Sequence, residues 1–319
     1  MNILNNIENE VSIIILIENV KNLRKCISNI FQTSKRFKVF LIDKYGEDEN
    51  ILEEFNQMDN IEVIKKIYSH EEFINTLNRI LKDSKNDVIF LKDNIKTFKK
   101  WILKLTIAAY SNDRIGIVSP ISNYSNVSLV NVGNDEKSSE FINNISMKEF
   151  NECPVPNDSC FFIKKDVFHE LKFDANDDEK DWLSNFFECA LNKGWKSVLD
   201  DSTFVYYEFD ETKNTQKDKY DFSTPYTLQN QPNSKFINSE AFQKTFQNFS
   251  IYSNEDLENN IKEKTKKKIL FAMHNGGGVE FTVKDIVNSI KKDYDCFVLR
   301  SFKTNMILYK IFQNEFIPI

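Results

Sequence analysis

Short apolar runs that alternate with helix-forming segments constrain the fold more strongly than any other feature of this chain. The runs are rich in Val, Ile and Phe, and they lie at Val11–Ile17, Lys38–Asp43, Ile61–Lys66 and Asp87–Leu91. Continuous runs of this kind are typical of strands covered on both faces, and helices between them are typical of the crossovers that join parallel strands. The sequence therefore predicts an α/β fold in which helices flank a mostly parallel sheet.

Apolar residues at helical spacing follow each of these runs. They predict helices at Asn19–Phe31, at Ile51–Phe55, around Phe73–Leu81 and at Phe98–Tyr110. The chain has 319 residues, enough for about two domains.

Changes in composition divide the chain into three parts. Residues 1–210 carry the alternating pattern, whereas residues 211–267 are polar and are predicted to form an extension or linker with some helix. A second, partial αβ unit is predicted over residues 268–319, with strands at Lys268–Met273 and Cys296–Ser301 around a helix at Thr282–Ile290. Because the chain ends in the apolar sequence NEFIPI, we expect this unit to be cut short or completed by another chain.

Charge and composition exclude several classes of protein. The chain has 42 Lys and Arg against 48 Asp and Glu, a net charge of −6 that argues against a general nucleic-acid binder but leaves room for a small basic pocket. The apolar run near the N-terminus is far shorter than the roughly 20 residues that cross a bilayer, so no transmembrane segment is predicted. The five Cys form no C-x-x-C pair and the three His are far apart, which predicts buried free thiols and a cytoplasmic protein.

Polar residues stand at the ends of three predicted strands. Asn19 follows the first, Asp43 ends the second, and Asp93 and Asn94 follow the fourth. Ligands in parallel α/β sheets bind at the carboxyl ends of strands, so these side chains are candidate ligand contacts. Asp and Asn at such positions also cap the next helix, and the residues alone leave both roles open.

A glycine loop separates the first strand and helix of the second αβ unit. Gly276, Gly277 and Gly278 are three of only seven Gly in the chain. Glycine before a helix N-terminus lets the backbone approach a phosphate, although a tight turn without a ligand fits the same residues.

Several segments, in this order, resemble the family 2 glycosyltransferases. They are VSIIILIEN, KVFLIDKYGED, DVIFLKDNIKTFKKW, AAYSNDRIGIVSPISN, CFFIKKDVF and LNKGWKSVLDDSTFVYY, and together they span about residues 10–210. The resemblance implies a GT-A nucleotide-sugar fold over residues 1–210 and, as the usual activity, inverting sugar transfer. MHNGGGVEFTVKDI is similar to the opening strand, loop and helix of GT-B glycosyltransferases.

The resemblance also implies roles for individual residues. Asp43 matches the Asp that accepts a hydrogen bond from the nucleotide base, and Asn78 matches an Asn beneath the nucleotide, which we expect Asn19 to contact as well. The family metal motif reads Lys92-Asp93-Asn94 here, with Asn94 at the position of the Mn²⁺ or Mg²⁺ ligand and Asp93 one residue before it.

Three catalytic positions depart from the family pattern. Asn94 is a neutral amide in place of the metal carboxylate, and Asn185 stands where the general base is an Asp. Tyr207 occupies the place of a metal-ligating His. Asp181, one helical turn before Asn185, is the candidate substitute base, although a solvated acidic stripe is the simpler explanation of this residue. Glu72 also replaces a glycine of a nucleotide-binding turn.

The sequence therefore predicts a glycosyltransferase-type protein of cell-surface or glycoprotein glycan assembly, with a nucleotide-diphosphate sugar as donor, a glycan or glycoprotein as acceptor, and transfer activity weakened or lost. A non-catalytic GT-A-like module that binds glycan or scaffolds a partner glycosyltransferase is the alternative. A generic nucleotide-binding α/β protein explains the sheet but not the ordered segments. A partner glycosyltransferase or a second copy of the chain are the expected protein partners.

Overall fold

The computed structural model describes residues 10–43, 49–65, 67, 69–84, 86–177, 182–209, 240–274, 279–302, 305–312 and 315–318. The chain divides into two compact units, Met1–Leu257 and Glu258–Ile319. The boundary between them falls within the predicted extension at 211–267, and the end of that extension is packed, since Tyr252 and Leu257 are buried. Both units contain strands and helices.

The strands of the first unit are β1 Val11–Leu16, β2 Phe37–Ile42, β3 Ile61–Ile64, β4 Asp87–Lys92, β5 Ile95–Lys96, β6 Ile115–Ser122, β7 Ser128–Leu129, β8 Asn151–Glu152, β9 Cys160–Ile163, β10 Lys196–Tyr207 and β11 Tyr252–Ser253. Its helices are α1 Val20–Thr33, α2 Glu49–Asn56, α3 His70–Asp83, α4 Trp101–Tyr110, α5 Glu136–Ile145, α6 Lys165–Glu170, α7 Trp182–Asn192 and α8 Glu240–Phe246. Helix α9, Asn254–Thr265, begins in the first unit and ends in the second.

Nine strands form one sheet in the order β3-β2-β1-β4-β9-β6-β10-β5, with β8 also paired to β10. Pairing is parallel among β3, β2, β1 and β4 and between β6 and β10. Strand β9 runs antiparallel between β4 and β6, and the short β5 and β8 are antiparallel to β10. The predicted α/β class with a mostly parallel, helix-flanked sheet is confirmed.

The core forms because the apolar runs are buried on both faces of the sheet. Ile13 and Ile15 of β1 are fully buried in one cluster with Leu23 and Ile30 of α1. Gly116 in β6 permits close packing, because a Cβ on this residue would lie 2.7 Å from a methyl carbon of Val167. Burial of this kind stabilises a chain by roughly 25 cal/mol per Å² of apolar surface.

One predicted helix begins later than its apolar spacing indicated. Helix α4 begins at Trp101, not at Phe98, because Lys100 has a left-handed backbone with a φ of 66°. Phe98 stacks on Phe204 of β10 at 5.6 Å instead. The residues between β4 and α4 thus form the turn and short β5 that join the end of β4 to β10.

A bulge interrupts β10 between Asp200 and Phe204. The buried Asp200 carboxylate accepts hydrogen bonds from the backbone N–H and hydroxyl of Ser202 and from the hydroxyl of Thr203. Burial raises the pKa of Asp200 above its ordinary value. The bulge is therefore organised around one carboxylate.

The second unit contains a four-stranded sheet in the order β12 Lys267–His274, β13 Tyr294–Phe302, β14 Asn305–Phe312 and β15 Glu315–Pro318. Helix α10, Val279–Ile290, connects the parallel strands β12 and β13, as the sequence predicted. Strands β14 and β15 are antiparallel additions that the sequence did not reveal. Its core is small and includes Met273, Val287 and Val298. None of the helices in the described part of the chain is long and apolar enough to span a membrane.

Candidate functional site

The carboxyl ends of β2, β1 and β4 lie side by side, because Leu16 pairs with both Ile42 and Lys92. This alignment places Asn19, Asp43, Asp93 and Asn94 along one edge of the sheet. Neighbouring strands are about 4.8 Å apart, so the ends of β2 and β4 are roughly 10 Å apart. The predicted nucleotide contacts and the metal motif therefore share one edge.

Asp93 supports the loop after β1 through its Oδ2 atom. This buried oxygen accepts hydrogen bonds from the backbone N–H groups of Glu18 at 2.8 Å and Asn19 at 2.6 Å. These donors precede α1, where backbone N–H groups lack partners within the helix. These two hydrogen bonds give Asp93 a structural role that competes with the predicted metal role. Successive side chains of an extended backbone point to opposite sides, so Asp93 and Asn94 have different surroundings.

Asn94 points its amide toward the end of β10. Its Nδ2 donates to the carbonyl oxygen of Glu208 at 3.3 Å, and its own carbonyl accepts from the Glu208 N–H at 3.0 Å. Its Oδ1 atom is buried and has no hydrogen-bond partner among the described residues. A buried acceptor without a partner costs about 1–3 kcal/mol, so this oxygen is suited to receive a ligand hydrogen bond or a cation.

Lys92 supplies a cation at the same edge. Its Nζ forms an ion pair with Asp158 at 3.2 Å, and about a third of its side chain is exposed. The Asp158 carboxylate, with a smaller contribution from Glu18, raises the pKa of Lys92 above its ordinary value despite partial burial. The ammonium group of Lys92 therefore stays charged.

The residues predicted to contact the nucleotide have different surroundings. Asp43 is buried, and its N–H bonds to the carbonyl of Ile64 at the end of β3. Asn19 caps α1 by accepting from the N–H of Lys21, which is one of the two roles that its position allowed. Asn78 lies on α3 and holds the backbone of Phe173 through paired bonds of 2.8 and 3.0 Å.

His70, the first residue of α3, was not predicted from the sequence. Both of its ring nitrogens are buried and have no hydrogen-bond partner in the described part of the chain. Glu72, in the same turn of the helix, donates its N–H to the capping hydroxyl of Ser69. The sequence did contain a signal for His70. This residue follows β3 and is two residues before Glu72, which replaces a glycine of the nucleotide-binding turn.

Asn185 is paired with a carboxylate that the sequence analysis did not select. Its Nδ2 donates to Oδ1 of Asp177 at 2.6 Å. Asp181 lies outside the described residues, as do Gly276, Gly277 and Gly278, so their predicted roles stay predictions. Asp177 precedes the helix by only a few residues, and a search for carboxylates around Asn185 in sequence would have included it.

The described residues do not fit a metal site held by the protein alone. No group of three His, Cys, Asp or Glu residues that could hold a metal ion occurs among them. Asn94 offers one neutral oxygen, Asp93 is engaged by backbone amides, and Tyr207 stands at the end of β10 without an imidazole. Mg²⁺ and Mn²⁺ prefer anionic oxygen ligands, so the geometry disagrees with a tight resident cation.

Comparisons with known proteins give a match of fold shape only. No family model matches the chain, and no curated protein matches it. Similar solved structures include GalNAc-T7 with UDP, GalNAc and Mn²⁺, at 15% identity and a TM-score of 0.46 over 63% of this chain and 43% of that one. Another is the mannosyltransferase PcManGT from Pyrobaculum calidifontis in complex with GDP-Man and Mn²⁺, at 11% identity and a TM-score of 0.46 over 65% of this chain and 59% of that one. A third, S. aureus TarS 1–349, has 15% identity and a TM-score of 0.43 over 62% of this chain and 60% of that one.

The chain thus spans about 43 to 60% of the length of these three structures. At such identities and TM-scores the matches do not assign a family or an activity to this protein. What the structure itself defines is an α/β protein whose polar groups meet at the carboxyl edge of a mostly parallel sheet.

Proposed function

We propose that residues 1–210 bind a nucleotide-diphosphate sugar, as a GT-A glycosyltransferase domain does. The observation that carries the proposal is the buried Oδ1 atom of Asn94, which lacks a partner among the described residues at the position where the sequence resemblance expects the donor to be held. The resemblance over residues 10–210 supplies the ligand class, and the carboxyl edge of the sheet supplies the place.

The spacing of the site agrees with this ligand. The base is expected at Asp43 and the diphosphate at Asn94, and two strand spacings of about 4.8 Å separate the strands that they follow. That span is comparable with the distance from base to diphosphate in an extended nucleotide sugar. Lys92 is two residues before Asn94, and its ammonium group, ion-paired with Asp158, offers charge compensation for the diphosphate without a metal ion.

Transfer to a glycan or glycoprotein acceptor is proposed to be weak or lost. Asn185 cannot accept a proton at neutral pH, and a general base typically contributes about 10²–10⁴-fold to a rate. The chain would then act in cell-surface or glycoprotein glycan assembly mainly by binding. The second candidate is a non-catalytic module that binds glycan or scaffolds a partner glycosyltransferase. The neutral oxygen of Asn94 favours this candidate, because Mg²⁺ and Mn²⁺ prefer anionic oxygen ligands.

Calorimetric titration with UDP, GDP and their sugars tests the donor site. Asn94→Ala is expected to weaken binding by about tenfold, equivalent to about 1.4 kcal/mol. Asn86→Ala is the matched control, because Asn86 lies at the other end of the same strand and bonds to Glu10 there. EDTA is expected to leave the affinity unchanged. Equal loss in both variants, or affinity that depends on Mn²⁺, would contradict the proposed site.

A gain-of-function pair tests why transfer is weak. Asn94→Asp restores an anionic metal ligand, and Asn185→Asp places a second carboxylate against Asp177, which raises the pKa of one of the two carboxyls toward the range of a general base. The double variant is expected to show more Mn²⁺-dependent transfer than the parent. High metal-dependent turnover by the unmodified chain would contradict the proposed loss of activity.

A further inference from the structure

Three aromatic side chains lie together where β6 and β10 end. Tyr124 follows β6, Tyr207 ends β10 and Phe209 follows it, and we call these three residues the aromatic patch. Their ring centroids are 5.1 Å apart for Tyr124 and Tyr207, 5.0 Å for Tyr124 and Phe209, and 5.1 Å for Tyr207 and Phe209. All three side chains are partly exposed. Each ring therefore contacts the other two and also reaches the surface.

The patch is held in place by the backbone of both strands. The Asn123 side chain accepts from the Tyr207 N–H at 2.7 Å and donates to the Tyr207 carbonyl at 3.1 Å, which ties the end of β10 to the residue that precedes Tyr124. Tyr207 also packs against the main core. Rings fixed in this way lose little conformational freedom when a ligand binds.

The aromatic patch is continuous with the candidate donor site. Glu208, which lies between two members of the patch, is bonded in both directions to Asn94. Asn94 follows β4, which is two strands from β2, so the patch adjoins the end of the candidate site that lies farther from Asp43. A nucleotide whose base lies at Asp43 would place its diphosphate at Asn94, and the patch would then lie next to the diphosphate and away from the base.

We propose that the aromatic patch is the subsite for a pyranose ring of the acceptor glycan. The proposal rests on the function proposed above, because an acceptor subsite is useful only next to a site that binds the sugar donor. A pyranose has an apolar face of C–H groups and a rim of hydroxyls. Partly exposed Tyr and Phe rings match the C–H face, and the Tyr hydroxyls and Glu208 at the same place offer partners to the rim.

Saturation-transfer difference NMR on the full chain tests this subsite. The probes are methyl β-D-glucopyranoside, methyl β-D-galactopyranoside, methyl α-D-mannopyranoside and the methyl glycoside of N-acetylglucosamine, each at millimolar concentration. At least one probe is expected to receive saturation mainly on its C–H face protons. Tyr124→Ala and Phe209→Ala are each expected to reduce that saturation by about fivefold or more, whereas Tyr124→Phe keeps the ring and retains it.

Phe31→Ala is the matched control, because Phe31 is a surface aromatic on α1, 41% exposed and in edge contact with Phe37 at 5.2 Å. It is expected to leave the sugar signal unchanged. Tyr124→Leu provides a second ring-removing variant if Tyr124→Ala does not fold. Unchanged saturation in the folded ring-removing variants, or no saturation of any probe, would overturn the proposal.

A parallel UDP titration separates this proposal from the donor site. Ring-dependent sugar saturation together with absence of nucleotide binding would keep the patch as a glycan site and overturn the donor proposal. Saturation of the uracil protons of UDP that disappears in Tyr124→Ala would mean that the patch binds the base, and the acceptor proposal would then be wrong.

Discussion

Replacing Asp93 and Asn94 separately by Ala distinguishes a structural carboxylate from a ligand-binding amide. Asp93→Ala removes an acceptor from two backbone N–H groups, those of Glu18 and Asn19. A hydrogen bond to a charged group contributes about 1.5–3 kcal/mol, so the pair is worth about 3–5 kcal/mol after allowance for relaxation. Domains are stable by about 5–15 kcal/mol, so this loss is large.

Asn94→Ala is expected to cost much less stability. It removes one bond of 3.3 Å to the Glu208 carbonyl and also removes a buried oxygen that lacks a partner among the described residues. A net change of about 1 kcal/mol or less follows, because losing a neutral hydrogen bond and losing an unpaired acceptor act in opposite directions. Binding of UDP or its sugars should fall in this variant instead.

Urea unfolding followed by tryptophan fluorescence measures the difference. All three Trp residues of the chain, Trp101, Trp182 and Trp195, lie in the first unit, so the signal reports on that unit without interference from the second. The Asp93→Ala midpoint should fall well below those of Asn94→Ala and the parent. If Asp93→Ala unfolded at the midpoint of the parent but lost nucleotide binding, Asp93 would be a ligand residue and the reasoning would be refuted.

Three further predictions concern packing, thiol chemistry and pH. Gly116→Ala should destabilise the first unit by about 1–3 kcal/mol, because its new methyl would overlap the buried Val167. Gly133→Ala should change the urea midpoint little, because its methyl would closely approach only the Ser138 hydroxyl, at 2.8 Å, and this hydroxyl ends a side chain that can rotate away at the surface. Ellman's reagent should modify one thiol in the native chain, the exposed Cys189, and none in Cys189→Ser, because the other four Cys are buried. Burial raises the pKa of Asp200, so the folded state holds the proton of this carboxyl group more tightly than the unfolded state does. The protonated carboxyl group therefore adds to the stability of the folded state below the ordinary carboxyl pKa of about 4. This added stability is lost as the pH rises through the raised pKa of the folded state. Asp200→Asn should flatten that part of the pH profile of the urea midpoint, and an unchanged profile would contradict the assignment.

The sequence revealed the parallel part of the fold because its signals are local. Each strand among β1 to β4 consists mostly of apolar residues, and α1 and α3 have apolar residues at helical spacing. The later start of α4 was not visible, because Phe98 fits the helical spacing and only the tertiary contact with Phe204 excludes it from the helix. Strands β14 and β15 were missed because the sequence was interpreted as continuing in αβ units.

The candidate site was predictable in place but not in the orientation of its side chains. Strand ends gave Asp43, Asp93 and Asn94, whereas the atoms that these side chains contact depend on residues far along the chain, such as Glu208 for Asn94. Asp177 and His70 were missed for the same reason. A role that depends on one oxygen facing one amide is set by tertiary packing and carries no periodic signal.

The antiparallel strand β9 has a consequence for how the protein is made. Strand β4 can pair with β1 as soon as it leaves the ribosome, but its other edge pairs with β9, whose Cys160 meets Leu91 about 70 residues later. At about 5–20 residues per second, the edge of the apolar segment VIFL stays open for about 3–14 s during synthesis. An unpaired apolar edge is a template for pairing with other chains. During the interval between translation of β4 and of β9, a nascent chain is therefore exposed to aggregation, and a chaperone would protect it.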